Sequence, residues 1–143
     1  MQIDGACLCG AIQYRGRVDP EKVGICNCTD CQINSGSAFG VVAHLLEFEL
    51  ISGTLKTWVK TADSGNRRAL AFCGDCGTRI HASNADGSEG TWGLRVGSCN
   101  QRNEMMPKFQ VWCDSRIPWV PPVQGVPEHA CQPQSIASSN RRE

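Results

Sequence analysis

Cys26-Asn27-Cys28-Thr29-Asp30-Cys31 places three cysteines within six residues, in the spacing C-x-C-x-x-C. Three thiolates this close in sequence can converge on one metal ion, yet a closed structural zinc site takes four protein ligands. Cys7-Leu8-Cys9-Gly10 and Cys73-Gly74-Asp75-Cys76-Gly77 together supply those four. Each pair must turn tightly to bring two sulfurs to about 2.3 Å from one ion. Gly10 and Gly77 follow the second cysteine of each pair. There a positive φ turns backbone N–H groups toward the sulfurs at little steric cost. The pattern predicts two zinc ions per chain. Cys7, Cys9, Cys73 and Cys76 hold a closed zinc that builds the fold, and Cys26, Cys28 and Cys31 hold a second one. Three readings of the triplet stay open: a fourth ligand from Cys99, Cys113, His44, His81 or Asp30; a metal-free redox cluster; or a zinc whose fourth position takes water or substrate. The last is preferred.

Composition favours metal over disulfides. Ten cysteines in 143 residues suit either. Met1-Gln2-Ile3-Asp4 is polar and reads without the basic and apolar regions of a secretory signal. A cytoplasmic chain with reduced thiols is therefore expected, and Cys7 and Cys9 are too close to belong to a typical disulfide pair. Fourteen basic and fourteen acidic residues cancel, which gives no electrostatic case for nucleic acid or a membrane surface. No apolar run approaches the roughly 20 residues of a membrane helix.

Taken in order, the chain reads as mostly β. Strands are expected at 11–17, with Ile12 and Tyr14 on one face, and at 23–25, separated by a turn at Val18-Asp19-Pro20-Glu21. Thr29 is a candidate cap for a helical turn to Ile33. A strand buried on both faces follows over 39–46. Segments 47–51 and 54–61 flank Ser52-Gly53 as a hairpin, with Phe48, Leu50, Leu55, Trp58 and Val59 offered to the core. Loops fall at 63–66 and 84–90, and strands at 67–72, 78–82, 92–96 and 108–112. Pro121, Pro122, Pro127 and Pro133 interrupt the rest. Residues 1–121 are read as the domain. Residues 122–143 are read as an extended or disordered tail, removable without harm to the fold.

Gly5-x-Cys7-x-Cys9-Gly10, Cys26-x-Cys28-x-x-Cys31 and Phe72-Cys73-x-x-Cys76-Gly77, in that order, resemble the glutathione-dependent formaldehyde-activating enzyme family, also called the centromere protein V/GFA domain. Ser35-Gly36-Ser37-Ala38-Phe39, Gly53-x-Leu55-x-x-Trp58 and Pro118-Trp119 extend the likeness over about residues 3–120. The resemblance implies a β-tent fold with zinc knuckles, a structural zinc on Cys7, Cys9, Cys73 and Cys76, and a catalytic zinc on Cys26, Cys28 and Cys31. It also implies condensation of glutathione with formaldehyde, a carbon–sulfur lyase reaction run in reverse.

The donor chemistry agrees. Three thiolates leave a zinc centre with net negative charge, a weaker Lewis acid than one held by neutral histidines. Such a centre activates water poorly but takes a substrate thiol as thiolate, so sulfur chemistry is expected rather than hydrolysis. The first expectation is a lyase acting on a glutathione-like thiol adduct of a small aldehyde. The alternative is a non-catalytic zinc module that binds a partner protein, and metal-free thiol redox chemistry stands third. Other residues take plainer roles. His44 reads as a core histidine, His81 as a surface or outer-sphere residue and His129 as inert. Cys99 and Cys113 read as small buried hydrophobes, and Cys131 as an exposed thiol. Arg67, Arg68 and Arg79 are expected on a solvated strand edge, with binding of substrate carboxylates as the other reading. Ser35 and Ser37 are expected in ordinary turn chemistry.

Overall fold

Strict alternation of buried and exposed side chains along Gln2–Ala6 marks the first strand, β1, with Ile3 turned into the core. In the computed structural model, which describes residues 1–61, 65–88 and 92–133, it pairs antiparallel with β2, Gln13–Cys26. β2 unites the two strands expected at 11–17 and 23–25. The Val18–Glu21 turn is a bulged irregularity within it, where the register against β3 slips between Asp19 and Val23. β3, Gly40–Ser52, likewise joins two expected segments. The further strands are β4 (Leu55–Thr61), β5 (Arg67–Cys73), β6 (Arg79–Asn84), β7 (Gly93–Arg95) and β8 (Phe109–Val111).

The sheet runs β1-β2-β3-β7-β6-β5-β4, and β8 adds parallel to β2. This order corrects the hairpin expected at Ser52-Gly53. The chain does turn at Gly53, with φ 82 and no room for a Cβ against the Ala11 carbonyl. But β3 pairs with β2 and β7, while β4, at the far edge, pairs among the described residues with β5 alone. Gly53 is therefore a corner between two parts of the sheet. Two of the residues offered to the core fare accordingly: Trp58, on the edge strand, is 61% exposed, and Leu50 is also exposed. The core lies instead among Ile3, Ile12, Tyr14, Val18, Val23, Leu45, Ile80 and Leu94. Phe48 and Leu55 pack partly buried against it.

The one described α-helix, α1 (Thr29–Ser35), starts from Cys28 rather than from the expected Thr29. The backbone N–H of Cys31 donates to Cys28 Sγ (3.2 Å), so a thiol takes the position a serine or aspartate usually fills. Gly36, with φ 65, ends the helix in the left-handed conformation.

Between residues 122 and 133 the chain turns once, at Gly125, and its 123–131 segment is bonded to the domain. Gln110 N donates to Pro127 O (2.8 Å), His129 N to Gln110 O (2.8 Å) and Cys113 N to His129 O (3.0 Å). The buried Gln110 amide donates to the carbonyls of Val123 (3.1 Å) and Val126 (3.0 Å) and accepts from Val123 N (3.0 Å). The tail expected to be removable without harm to the fold thus has bonding partners in the domain, and truncation tests that expectation. Residues 134–143, and parts of the loops expected at 63–66 and 84–90, lie outside the described residues. No described helix is long and apolar enough to cross a membrane.

Candidate metal centres

The β1–β2 turn carries Cys7 and Cys9, and the β5–β6 turn carries Cys73 and Cys76. Their four sulfurs lie within 4.8 Å of one another. Gly10 N donates to Cys7 O (3.1 Å) and Gly77 N to Cys73 O (2.8 Å), and both glycines have positive φ, 82° and 79°. These are the tight turns that the spacing required. Ile12 N–H points at Cys7 Sγ (3.1 Å). Cys9 Sγ stands 3.5 Å from Cys7 Sγ and 3.8 Å from Cys73 Sγ. Thr78 bonds across the two turns: its hydroxyl accepts from Leu8 N (3.0 Å) and lies 3.2 Å from Cys76 Sγ. That contact pulls the Cys76 thiol down to about 5. Sequence reasoning missed Thr78, although a hydroxyl two residues past a knuckle cysteine is a usable signal.

The second group, Cys26, Cys28 and Cys31, also has its sulfurs within 4.8 Å of one another. Four elements position it. Cys26 is the last residue of β2, opposite Gly40 of β3. Asn27 is buried, and both its backbone N–H (3.1 Å) and its side-chain amide (3.0 Å) donate to Val111 O of β8. Cys28 caps α1, and Cys31 lies in the first turn of that helix. Gln32 fixes the helix start by donating to the carbonyls of Asn27 (2.8 Å) and Ser115 (2.9 Å).

Sulfurs this crowded compete for protons. Hydrogen bonds from Cys26 and Cys28, with the Arg95 guanidinium nearby, pull the Cys31 thiol down to about 2. Its two neighbours push Cys26 well up. Such a set of soft, mutually repelling donors fits a soft or borderline divalent cation, and both groups fit zinc by donor type and mutual spacing.

Among the described residues no other Cys, His, Asp or Glu joins the triplet. Cys99 is fully buried beside β1, bridged to Gly5 and bonded to Gln101. Cys113 contacts Gln110 O and Arg116. His44 pairs across β2–β3 with Asp19, and burial lowers its pKa. His81 packs edge-on against Phe48 (4.8 Å) and Trp92 (5.8 Å), and burial pushes its pKa down to about 4. It is therefore part of an aromatic cluster, not a surface residue. Asp30 is ion-paired to Lys60. Ser35 and Ser37 bond within their own turn, as expected.

A small, open cleft lies against the triplet, with Cys28 and Cys31 in its wall. Lys60, Arg68, Leu70 and Arg95 also line it. Arg67 is exposed, as a strand edge predicts, but Arg68 is 3% exposed and faces this cleft. Arg79 lies over the Phe72 ring, 4.8 Å from its centre, and its Nε donates to Asn34 O of α1 (3.4 Å). Neither Arg95 nor Lys60 was singled out by sequence. Each lies on a strand remote from the triplet, and only the sheet order brings them together.

The family model described as glutathione-dependent formaldehyde-activating enzyme matches residues 2–115. No curated protein matches the chain. Among solved structures, the crystal structure of a Rhodobacter sphaeroides protein is similar, with a TM-score of 0.52 and 19% sequence identity. That likeness covers 90% of this chain and 99% of the other, and at such identity it speaks to the fold alone. With most of its length matched and both cysteine groups assembled in space, the chain belongs to the glutathione-dependent formaldehyde-activating enzyme family.

Proposed function

We propose that the protein is a zinc-dependent carbon–sulfur lyase-type enzyme that makes and breaks the adduct of a glutathione-like thiol with a small aldehyde such as formaldehyde. The observation that carries this reading is a three-cysteine group with no fourth protein ligand among the described residues, opening on a cleft. Zinc bound there supplies a site that stabilises a substrate thiol as its thiolate at neutral pH.

The chain's own residues do the rest. Asn27 and Gln32 hold the loop and the helix start, so the three sulfurs keep one arrangement. Arg95 Nη1, 3.9 Å from Cys31 Sγ, offsets negative charge on the thiolate set. Leu70 gives the cleft an apolar wall against which a small carbonyl compound can rest. In the forward direction a carbon–sulfur bond forms and the thiol proton ends on the carbonyl oxygen, so the reaction is redox-neutral. No histidine lines the cleft among the described residues, and solvent is the simplest carrier of that proton.

Exchange NMR tests the reading. Zinc-loaded protein should speed interconversion of free glutathione and its formaldehyde adduct above the spontaneous rate, and Cys28→Ser should abolish the gain. No acceleration by fully zinc-loaded protein would leave the chain a metal-binding module rather than this enzyme.

A further inference from the structure

The cleft beside the triplet is more cationic than a neutral aldehyde requires. Lys60 and Arg68 are direct cross-strand partners on β4 and β5, so their side chains rise from the same face of the sheet. Arg95 approaches from β7, opposite Val42 of β3. Lys60 is ion-paired to Asp30 of α1, which also lines the cleft. The buried Arg68 donates from Nη1 to Asn84 Oδ1 (2.8 Å), which fixes its guanidinium under the cleft. Arg95 contacts Cys31 Sγ, and among the described residues no carboxylate pairs with it. Three cations and one carboxylate therefore surround a small open space. Guanidinium groups held this way are suited to a carboxylate, because the planar fork offers two parallel donors.

We propose that this cleft is a carboxylate subsite in which Arg95 holds the substrate and Arg68 is the cationic floor. The preferred thiol is then a compact one that carries its carboxylate close to its sulfur. The reach sets that class: Arg95 Nη1 is 3.9 Å from Cys31 Sγ, so an anion on Arg95 is separated from the triplet's ligand position by only a short carbon chain. A longer thiol such as glutathione can still bind through its sulfur, but it places its carboxylates outside and gains nothing from the subsite. This inference rests on the function proposed above, because it assumes that the triplet's zinc takes a thiol.

Calorimetric titration of the zinc-loaded protein tests it with three probes: mercaptoacetate, 3-mercaptopropionate and the neutral 2-mercaptoethanol. A charge-assisted pair is expected to make a carboxylate thiol bind about tenfold to a hundredfold more tightly than the neutral one. Arg95→Gln should bring the ratio of charged to neutral thiol affinity, each measured on the zinc-loaded variant, close to one, and Arg95→Lys should restore part of the difference. Equal affinity for charged and neutral thiols in the wild-type protein would overturn the subsite and leave Arg95 as a partner of the Cys31 thiolate alone. No binding of any thiol would overturn the function proposed above, and the subsite with it. Should Arg95→Gln fail to fold, the wild-type comparison still decides.

Discussion

His81 sets the limit of what one residue discloses in sequence. Five positions past Cys76 it looked available to a metal. The register of β6 against β5 and β7 instead turns it between Phe48 and Trp92, and its Nδ1 is buried without a hydrogen-bond partner. Burial disfavours the charged imidazolium, which is why its pKa falls to about 4. A folded-state pKa below the unfolded value of about 6.5 means that only the unfolded chain takes the proton as pH first falls. Stability from this group is thus full above about pH 6.5 and is lost progressively down to about pH 4, by at most about 3 kcal/mol. His81→Phe keeps an aromatic ring in the cluster and removes the unpaired nitrogen. Thermal melts between pH 6.5 and 4.5 should show a shallower loss of stability for the variant than for the wild type. Parallel curves would mean that His81 does not titrate as its burial implies. Thr78 is the opposite case, a small residue whose worth is all in its contacts. Thr78→Val leaves Leu8 N and Cys76 Sγ without that oxygen. It should cost about 1–2 kcal/mol in denaturant unfolding, while a change within error would show that solvent replaces it.

At the scale of elements, the period-2 alternation that identifies strands was legible, but their ends and partners were not. β2 and β3 each absorbed two expected segments, because a bulge continues a ladder that a turn would end. The hairpin reading at Ser52-Gly53 failed for a different reason. A glycine with positive φ serves a hairpin and a sheet corner equally, and local sequence does not tell which partner the next strand will find. β8 is similar: three residues long, it is held by Gly24, where a Cβ would collide with the Phe109 ring, and by Asn27 bonding to Val111. The segment at 123–131 then bonds along β8 and satisfies the buried Gln110 amide. Proline content made this segment look dispensable, yet prolines are at home in an extended strap that uses its carbonyls as acceptors. Ending the chain after residue 122 should therefore strip Gln110 of these hydrogen-bond partners, at a cost of about 3 kcal/mol, or roughly 10 °C in melting temperature. An unchanged melting temperature would support the composition-based boundary at residue 121.

Across the whole molecule, the two cysteine groups differ in what they join. Cys7 and Cys9 lie where β1 meets β2, at one end of the sheet, while Cys73 and Cys76 lie between β5 and β6, near the other. β3 and β7 stand between these pairs in the strand order. Cys9 Sγ nevertheless comes within 3.8 Å of Cys73 Sγ, so the sheet curls until its distant turns meet. A metal held there clasps the curl, and its binding free energy is largely folding free energy. The seven cysteines and their partition were readable from spacing alone. The curl that makes one group a clasp was not, since it depends on strand order. The triplet joins only the end of β2 to the start of α1, a short local loop. Cys73→Ser should therefore give little soluble protein, or a large fall in melting temperature with zinc content well below that of the wild type. Cys28→Ser should stay folded with one zinc. Serine ligates zinc poorly at neutral pH but still offers an oxygen to the Cys31 N–H, so the cap of α1 survives the change. Soluble yield, thermal unfolding and zinc content, measured for both variants, decide between the roles. A Cys28→Ser protein that collapses as thoroughly as Cys73→Ser would make the triplet a second clasp and remove the main support for a ligand position there. Two folded variants that each retain two zinc ions would break the partition of the cysteines itself.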